Sequence, residues 1–276
     1  MHESVPEAFE SPLDQAEFRQ LAQRPGVELY RAHIVCHAFA PHTHEAFGFG
    51  AIERGVERFR YGGCEHLAPP DSMVFMNPDM LHTGQAATAD GWRYRMIYLT
   101  PEMLATLSGD AGWWFSETVA DHDRPRARRL SVLLDALWRA REPLAVDSLL
   151  LQVIDTLRPH ASIDRPAGAE RPARFDTVID YMRAELDQPL RLETLAAVAG
   201  LSPYHFLRSF RAHYHVTPQQ MLMALRLYAA KCHLAAGAAP ASVAAAVGLC
   251  DQAHLTRAFS SRYGVTPALY QHQLRC

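Results

Sequence analysis

At 276 residues, with 49% hydrophobic and 21% charged content, the chain has the composition of a globular protein of about two domains, which excludes a disordered one. No apolar run approaches the ~18–20 residues of a membrane span, the stretch MHESVPEAFESPLD carries no basic-then-apolar leader, and the five cysteines form no C-x-x-C pair. These features predict a cytoplasmic chain with no membrane partner, no disulfide frame and no zinc knuckle, and the net charge of −3 is unevenly divided: 11 Lys+Arg against 6 Asp+Glu from Arg171 onward, 16 against 24 before it.

In chain order, residues from about 27 to 99 read as short strands: VELYRAHIVCHAF, AFGFGAIER, VERFRYGG, DSMVFMN and WRYRMIYL. Turn formers separate them at Pro41, Gly55, Gly62-Gly63, Pro69-Pro70-Asp71, Asn77-Pro78 and Asp90-Gly91. Many short punctuated strands predict an antiparallel sandwich or barrel. Pro101 then opens a helix, PEMLATLSG. Residues 124–160 carry helical periodicity in ARRLSVLLDALWRA and VDSLLLQVIDTL, with more apolar surface than a short connector needs, so one of these helices is a candidate dimer interface. The Pro-, Gly- and Ala-rich stretch 159–173 reads as a linker, and everything beyond it is helical in pattern.

That last region contains an internal repeat. LETLAAVAGLS at 192–202 matches PASVAAAVGLC at 240–250, and YHFLRSFRAHYHVTP at 204–218 matches AHLTRAFSSRYGVTP at 253–267, at offsets of 48 and 49. Each copy has a small residue (Ala196, Ala244), a glycine four residues later (Gly200, Gly248), a helix N-cap (Ser202, Asp251) and a second amphipathic helix. A helix-turn-helix needs these residues: the alanine permits close crossing, and the glycine permits a left-handed turn. The intervening TPQQMLMALRLYAAKCHLAAG would be a long helix holding the two units at a fixed separation, as two successive major grooves about 34 Å apart require.

The C-terminal 100 residues resemble the AraC/XylS family of bacterial transcription regulators. The match is carried by Arg226, Leu227 and Ala230, the A-x-x-x-G-L within Val243 to Leu249, the DQAHLTRAF segment, and Tyr263-Gly264-Val265-Thr266-Pro267 with Tyr270. The resemblance implies a DNA-binding domain at 174–276, with helix-turn-helix units at about 192–213 and 240–263. Its groove-facing candidates are Tyr204, His205, Leu207, Arg208 and Arg211 in the first unit and Gln252, Ala253, His254 and Arg257 in the second. Arginine can fork onto guanine and glutamine can pair with adenine, while His205, His254 and Arg211 suit phosphates equally well.

The strand-rich part is similar to the cupin-type sensor barrel attached to many such regulators. The expected fold is therefore α+β: a cupin-like antiparallel β-barrel at 1–115, a helical connector at 116–160, a linker at 161–173, and an all-α domain of two helix-turn-helix units joined by a long helix. Ligand-pocket candidates are His42, His44, Phe47, Arg58, Tyr61, His82 and Tyr94. His42, His44 and His82 also match the histidines of metal-binding cupins, but Glu45 points the wrong way, no acid stands near Gly48-Phe49, and Met80 replaces a usual glycine. The reading is therefore of a regulator without cofactor, metal or catalytic residues. Its expected partners are double-stranded DNA and a small-molecule effector, with RNA polymerase and a second copy of the chain beside them. A metal-dependent cupin sensor or enzyme is the alternative.

Overall fold

The computed structural model describes residues 9, 11–22, 24–162 and 173–275, so most of the expected linker lies outside the described residues. Its strands are β1 (Gln15–Gln20), β2 (Val27–Ile34), β3 (Ala38–His42), β4 (Phe47–Gly55) and β5 (Glu57–Tyr61), followed by β6 (Cys64–Ala68), β7 (Met73–Met76), β8 (His82–Ala86), β9 (Trp92–Leu99) and β10 (Val119–Ala120). One antiparallel sheet has the order β1-β2-β9-β4-β7-β10 and the other β3-β8-β5-β6. The expected barrel is thus an open cupin-like sandwich of two facing sheets. β1 was not foreseen; its whole length pairs with β2, Gln15 opposite His33 through Gln20 opposite Glu28.

Alternation assigns the two faces of the larger sheet. On β4, Phe47, Phe49 and Ala51 belong to a core with Leu130, Leu134, Leu150 and Val153. Those four leucine and valine residues come from α2 (Arg124–Arg139) and α3 (Pro143–Leu157), which cover the sheet after the short α1 (Pro101–Ser108). The opposite face of β4 carries Gly48, Gly50 and Ile52. A Cβ on Gly50 would stand 2.2 Å from the Met96 sulfur, so the glycine makes room for side chains from β9. Tyr30, Tyr94 and Met96 fill the interior with Phe39, Phe59 and Tyr61 from the smaller sheet.

The helical region consists of α4 (Ala173–Ala184), α5 (Leu192–Val198), α6 (Pro203–Tyr214), α7 (Pro218–Ala235), α8 (Pro240–Ala246), α9 (Gln252–Tyr263) and α10 (Pro267–Arg275). α5–α6 and α8–α9 are the two helix-turn-helix units. Their turns carry Gly200 at φ 65° and Gly248 at φ 70°. At Gly200 only the backbone angle demands glycine, since an added Cβ meets nothing; at Gly248 that Cβ would also lie 2.6 Å from the Leu186 carbonyl oxygen. Ala196 and Ala244 are buried at both crossings. The repeated V-T-P caps the next helix twice: Thr217 forms a capping box with Gln220 on α7, and the Thr266 hydroxyl accepts from the Leu269 N–H on α10.

The helical region is docked onto the sandwich. α10 lies along β1, where Gln273 accepts from the Phe18 N–H at 3.0 Å and donates to the Ala16 carbonyl at 3.2 Å. Arg183 of α4 reaches Asp79 at 3.0 Å and Glu45 at 3.4 Å. Among the described residues no helix is long and apolar enough to cross a membrane.

Candidate functional site

Each second helix of the repeat buries one face and exposes another. On α6, Phe206 and Phe210 are fully buried, whereas Tyr204 is 70% exposed and His205, Arg208 and Arg211 are also exposed. Leu207 is half-buried at the edge of the same face. On α9, Leu255 and Phe259 are buried, Gln252 and Arg257 are exposed, and Ala253 and His254 are half-buried. No carboxylate pairs with Arg208 or Arg257 among the described residues, so both forks are free to meet a base edge or a phosphate. Arg211 is placed differently: it borders a cleft of about 330 Å³ with Arg60, Tyr61 and His82, facing the smaller sheet.

The interior of the sandwich gathers His42, His44 and His82, all buried, with ligand nitrogens within 4.8 Å of one another. His42 and His82 turn Nδ1 to the Ala40 and Met80 carbonyls at 2.9 and 3.0 Å, which leaves their Nε2 atoms for the cavity. The buried Nε2 of His44 has no partner. Burial, then the neighbouring histidines, holds His42 and His44 well below the ordinary imidazole range, and burial lowers His82 to about 4. Burial also pushes the Glu57 carboxyl, on the same wall, up to about 8. At neutral pH the lining is therefore three neutral imidazoles, a protonated acid and phenols, closed by Arg262 and Tyr263 of α9.

Two pocket expectations are corrected here. Arg58 is exposed: Glu57, Phe59 and Tyr61 are the inward residues of β5, and alternation turns Arg58 outward. Phe47 faces α2 and α3 because it begins β4 in the larger sheet, while His42 ends β3 in the smaller one; alternation does not run through the connection between them. Tyr61 is buried near the cavity, its hydroxyl accepting from the Asn77 N–H at 2.9 Å. Tyr94 lines it.

The enclosed cavity is only about 40 Å³, room for a few waters. A second cavity of about 420 Å³ opens at the seam between sandwich and helices, within the range that small molecules occupy. His44 and Tyr98 form walls of both cavities. The seam holds Lys231, the chain's sole lysine, buried on α7. Its ammonium donates to Glu28 Oε1, and the Tyr270 hydroxyl donates to Glu28 Oε2 at 2.9 Å. The rings of Phe18 and Tyr263 surround it at 4.8 and 5.1 Å. Sequence reasoning missed this site. The available signal was a single lysine among apolar neighbours on a connecting helix.

The donor geometry of the three histidines suits a borderline transition ion, but the buried guanidinium of Arg262 closes the same cavity and opposes one.

Residues 24–154 match a family model described as an AraC-like ligand binding domain, and residues 195–273 match one described as a helix-turn-helix domain. The chain is 26% identical to the HTH-type transcriptional regulator YbfI of Bacillus subtilis, over 86% of this chain and 88% of that protein. It is 26% identical to the MmsAB operon regulatory protein of Pseudomonas aeruginosa, over 80% of this chain and 73% of that one. Among solved structures, ToxT from Vibrio cholerae shares the fold at a TM-score of 0.56 and 9% identity, covering 94% of this chain and all of that one. A further ToxT structure, described as bound to an unsaturated fatty acid, matches at 0.56 over 96% of both chains.

Proposed function

The chain belongs to the AraC family of transcriptional regulators, and from that membership we propose that α6 and α9 read successive major grooves while an organic acid in the seam cavity alters their placement. One observation carries the coupling: α9 exposes Gln252 and Arg257 at one end and closes the sandwich interior with Arg262 and Tyr263 at the other. A ligand at Lys231 reaches that helix through Tyr263, whose ring stands 5.1 Å from the ammonium, and through the His44 and Tyr98 walls that the two cavities share. The class of effector follows from Lys231. A lone ammonium in an apolar seam, held by one carboxylate, suits exchange of that partner for the carboxylate of a ligand with an apolar body. The fatty acid described for ToxT has this chemistry.

In this reading Tyr204, Leu207, Arg208, Gln252, Ala253 and Arg257 face bases, His205 and His254 face phosphates, and Arg211, turned to the cleft against the smaller sheet, takes no part in the groove. The protein acts in the cytoplasm with no catalytic activity of its own, and RNA polymerase is a further partner. The exposed Leu144 and Leu151, two turns apart on α3, support a homodimer through that helix. The alternative, a metal-dependent sensor or enzyme, is supported by the three converging imidazoles and opposed by their cationic surroundings.

Fluorescence-polarisation binding to the DNA upstream of its own gene tests the proposal, with and without medium-chain monocarboxylic acids and with elemental content measured on the same sample. Salt-sensitive specific binding that shifts with the acid is the expected result. Specific binding indifferent to acids, with stoichiometric metal lost in His82→Ala, would favour the alternative.

A further inference from the structure

A second cluster of ligating side chains lies away from both cavities. Glu117, just before β10, spreads its two carboxylate oxygens over two imidazoles: Oε1 stands 3.3 Å from His122 Nδ1, and Oε2 stands 3.3 Å from His160 Nδ1. His160, in the turn that ends α3, directs its other nitrogen to Asp123 Oδ2 at 3.2 Å. Its ring is stacked on Phe75 at 5.2 Å and its side chain is only 7% exposed, so its orientation is fixed. The donor atoms of Glu117, His122 and His160 all lie within 4.8 Å of one another.

The geometry is compatible with one ion held by all three side chains. The Glu117 contacts at 3.3 Å and the His160–Asp123 contact at 3.2 Å are all longer than the about 2.7–2.9 Å of a tight charge-assisted bond. Ligands about 2.0–2.1 Å from a tetrahedral metal stand about 3.3–3.4 Å apart, near the separation of each Glu117 oxygen from its own histidine, and the three donors lie within 4.8 Å of one another. His160 also has the arrangement usual for a ligating histidine, one nitrogen toward the cluster and the other toward a carboxylate that fixes its tautomer and orientation. Glu117 supplies negative charge directly, and Asp123, itself paired with Arg126 at 2.7 Å, stands behind His160.

We propose that Glu117, His122 and His160 form a binding site for a divalent transition ion of the zinc or cobalt type. Water fills the remaining positions on the exposed side, where His122 stands 64% exposed. Asp123 is a positioning residue, acting through His160. The bound ion ties the segment entering α2 to the end of α3, beside the Trp114–Ser162 bridge.

The test is titration of the chelator-stripped full chain with Co²⁺ and Zn²⁺, by visible absorption and calorimetry. The variants are His122→Ala, Glu117→Gln, Asp123→Asn and the double variant His42→Ala with His82→Ala. Wild type should bind one equivalent that the double variant keeps. His122→Ala and Glu117→Gln should each lose that equivalent, and Asp123→Asn should weaken it about tenfold or more. His122 is largely exposed, so its replacement leaves the fold intact and a lost equivalent reports ligation. No binding by wild type, full binding by His122→Ala and Glu117→Gln, or loss only in the double variant would each overturn the proposal.

Discussion

The Arg262 guanidinium donates to the carbonyl oxygen of Thr43 at 2.8 Å, joining α9 to the residue between His42 and His44. Arg262 is buried, and burial lowers its basicity, so the bond is made where a misplaced charge has no water to fall back on. Replacing it with methionine keeps much of the volume and removes the link. Coupling between two such sites normally changes affinity by about 5–150-fold. In Arg262→Met the acid-dependent change in operator affinity should shrink to about twofold or less, read by fluorescence polarisation. An undiminished response would place the coupling elsewhere.

Arg257 and Arg208 occupy equivalent positions in the two units, both exposed. Arg257→Ala should cost about 1–3 kcal/mol at one operator position and leave non-specific binding nearly intact. Arg208→Ala should do the same about one DNA turn away. Binding to a panel of single-base operator variants separates this from a uniform loss, which would mark a phosphate contact.

Lys231 and Glu28 form a buried pair, and breaking such a pair leaves one charge uncompensated. Lys231→Met should destabilise the chain by about 3–5 kcal/mol in urea unfolding, while Glu28→Gln with Lys231→Met should recover most of that. The double variant therefore folds without the ammonium, and its affinity for monocarboxylic acids measures what Lys231 contributes to binding. Unchanged affinity would remove the lysine from the effector site.

Stability should peak near pH 6.5 in chelator-treated protein. The interior histidines stay neutral in the fold, while their unfolded counterparts protonate below the ordinary 6.5; stability therefore falls as pH drops, by about 3 kcal/mol for His82 alone between 6.5 and about 4. Glu57 works in the opposite direction. It stays protonated in the fold up to about 8 and ionises above 4.5 when unfolded, so stability falls as pH rises through that window. Below 6.5 three histidines outweigh one acid; above it the acid acts alone. Glu57→Gln should flatten the limb between pH 6.5 and 8, recovering about 2 kcal/mol in urea titrations. A limb unchanged in that variant would assign it to another group.

The helix-turn-helix pair was legible because local chemistry writes it twice: a small residue, a glycine with positive φ, an N-cap and a Thr-Pro start recur in register. Strand existence was equally local. The faces of the strands were not, since alternation holds within a strand and is reset by each connection; this is how Phe47 and Arg58 were misassigned. Glu57 could have been found by counting back from Tyr61 along β5. The seam and the approach of His160 to Glu117 depend on contacts between residues far apart in sequence, such as Glu28 with Tyr270, for which no spacing rule exists, whereas β1 is a hairpin neighbour of β2 whose short run carries few strand-forming residues. Barrel closure is likewise a property of strand pairing, and the two separate sheets settle it as an open sandwich.

Having a single lysine, and having it at the seam, makes the protein its own reporter. Apart from the chain's α-amino group, every amine-reactive reagent has one target, Lys231, shielded by Glu28 and a ring of aromatic side chains. The rate of its acylation therefore clocks the separation of helices from sandwich, residue by residue identity already assigned and without a mutation or an added dye.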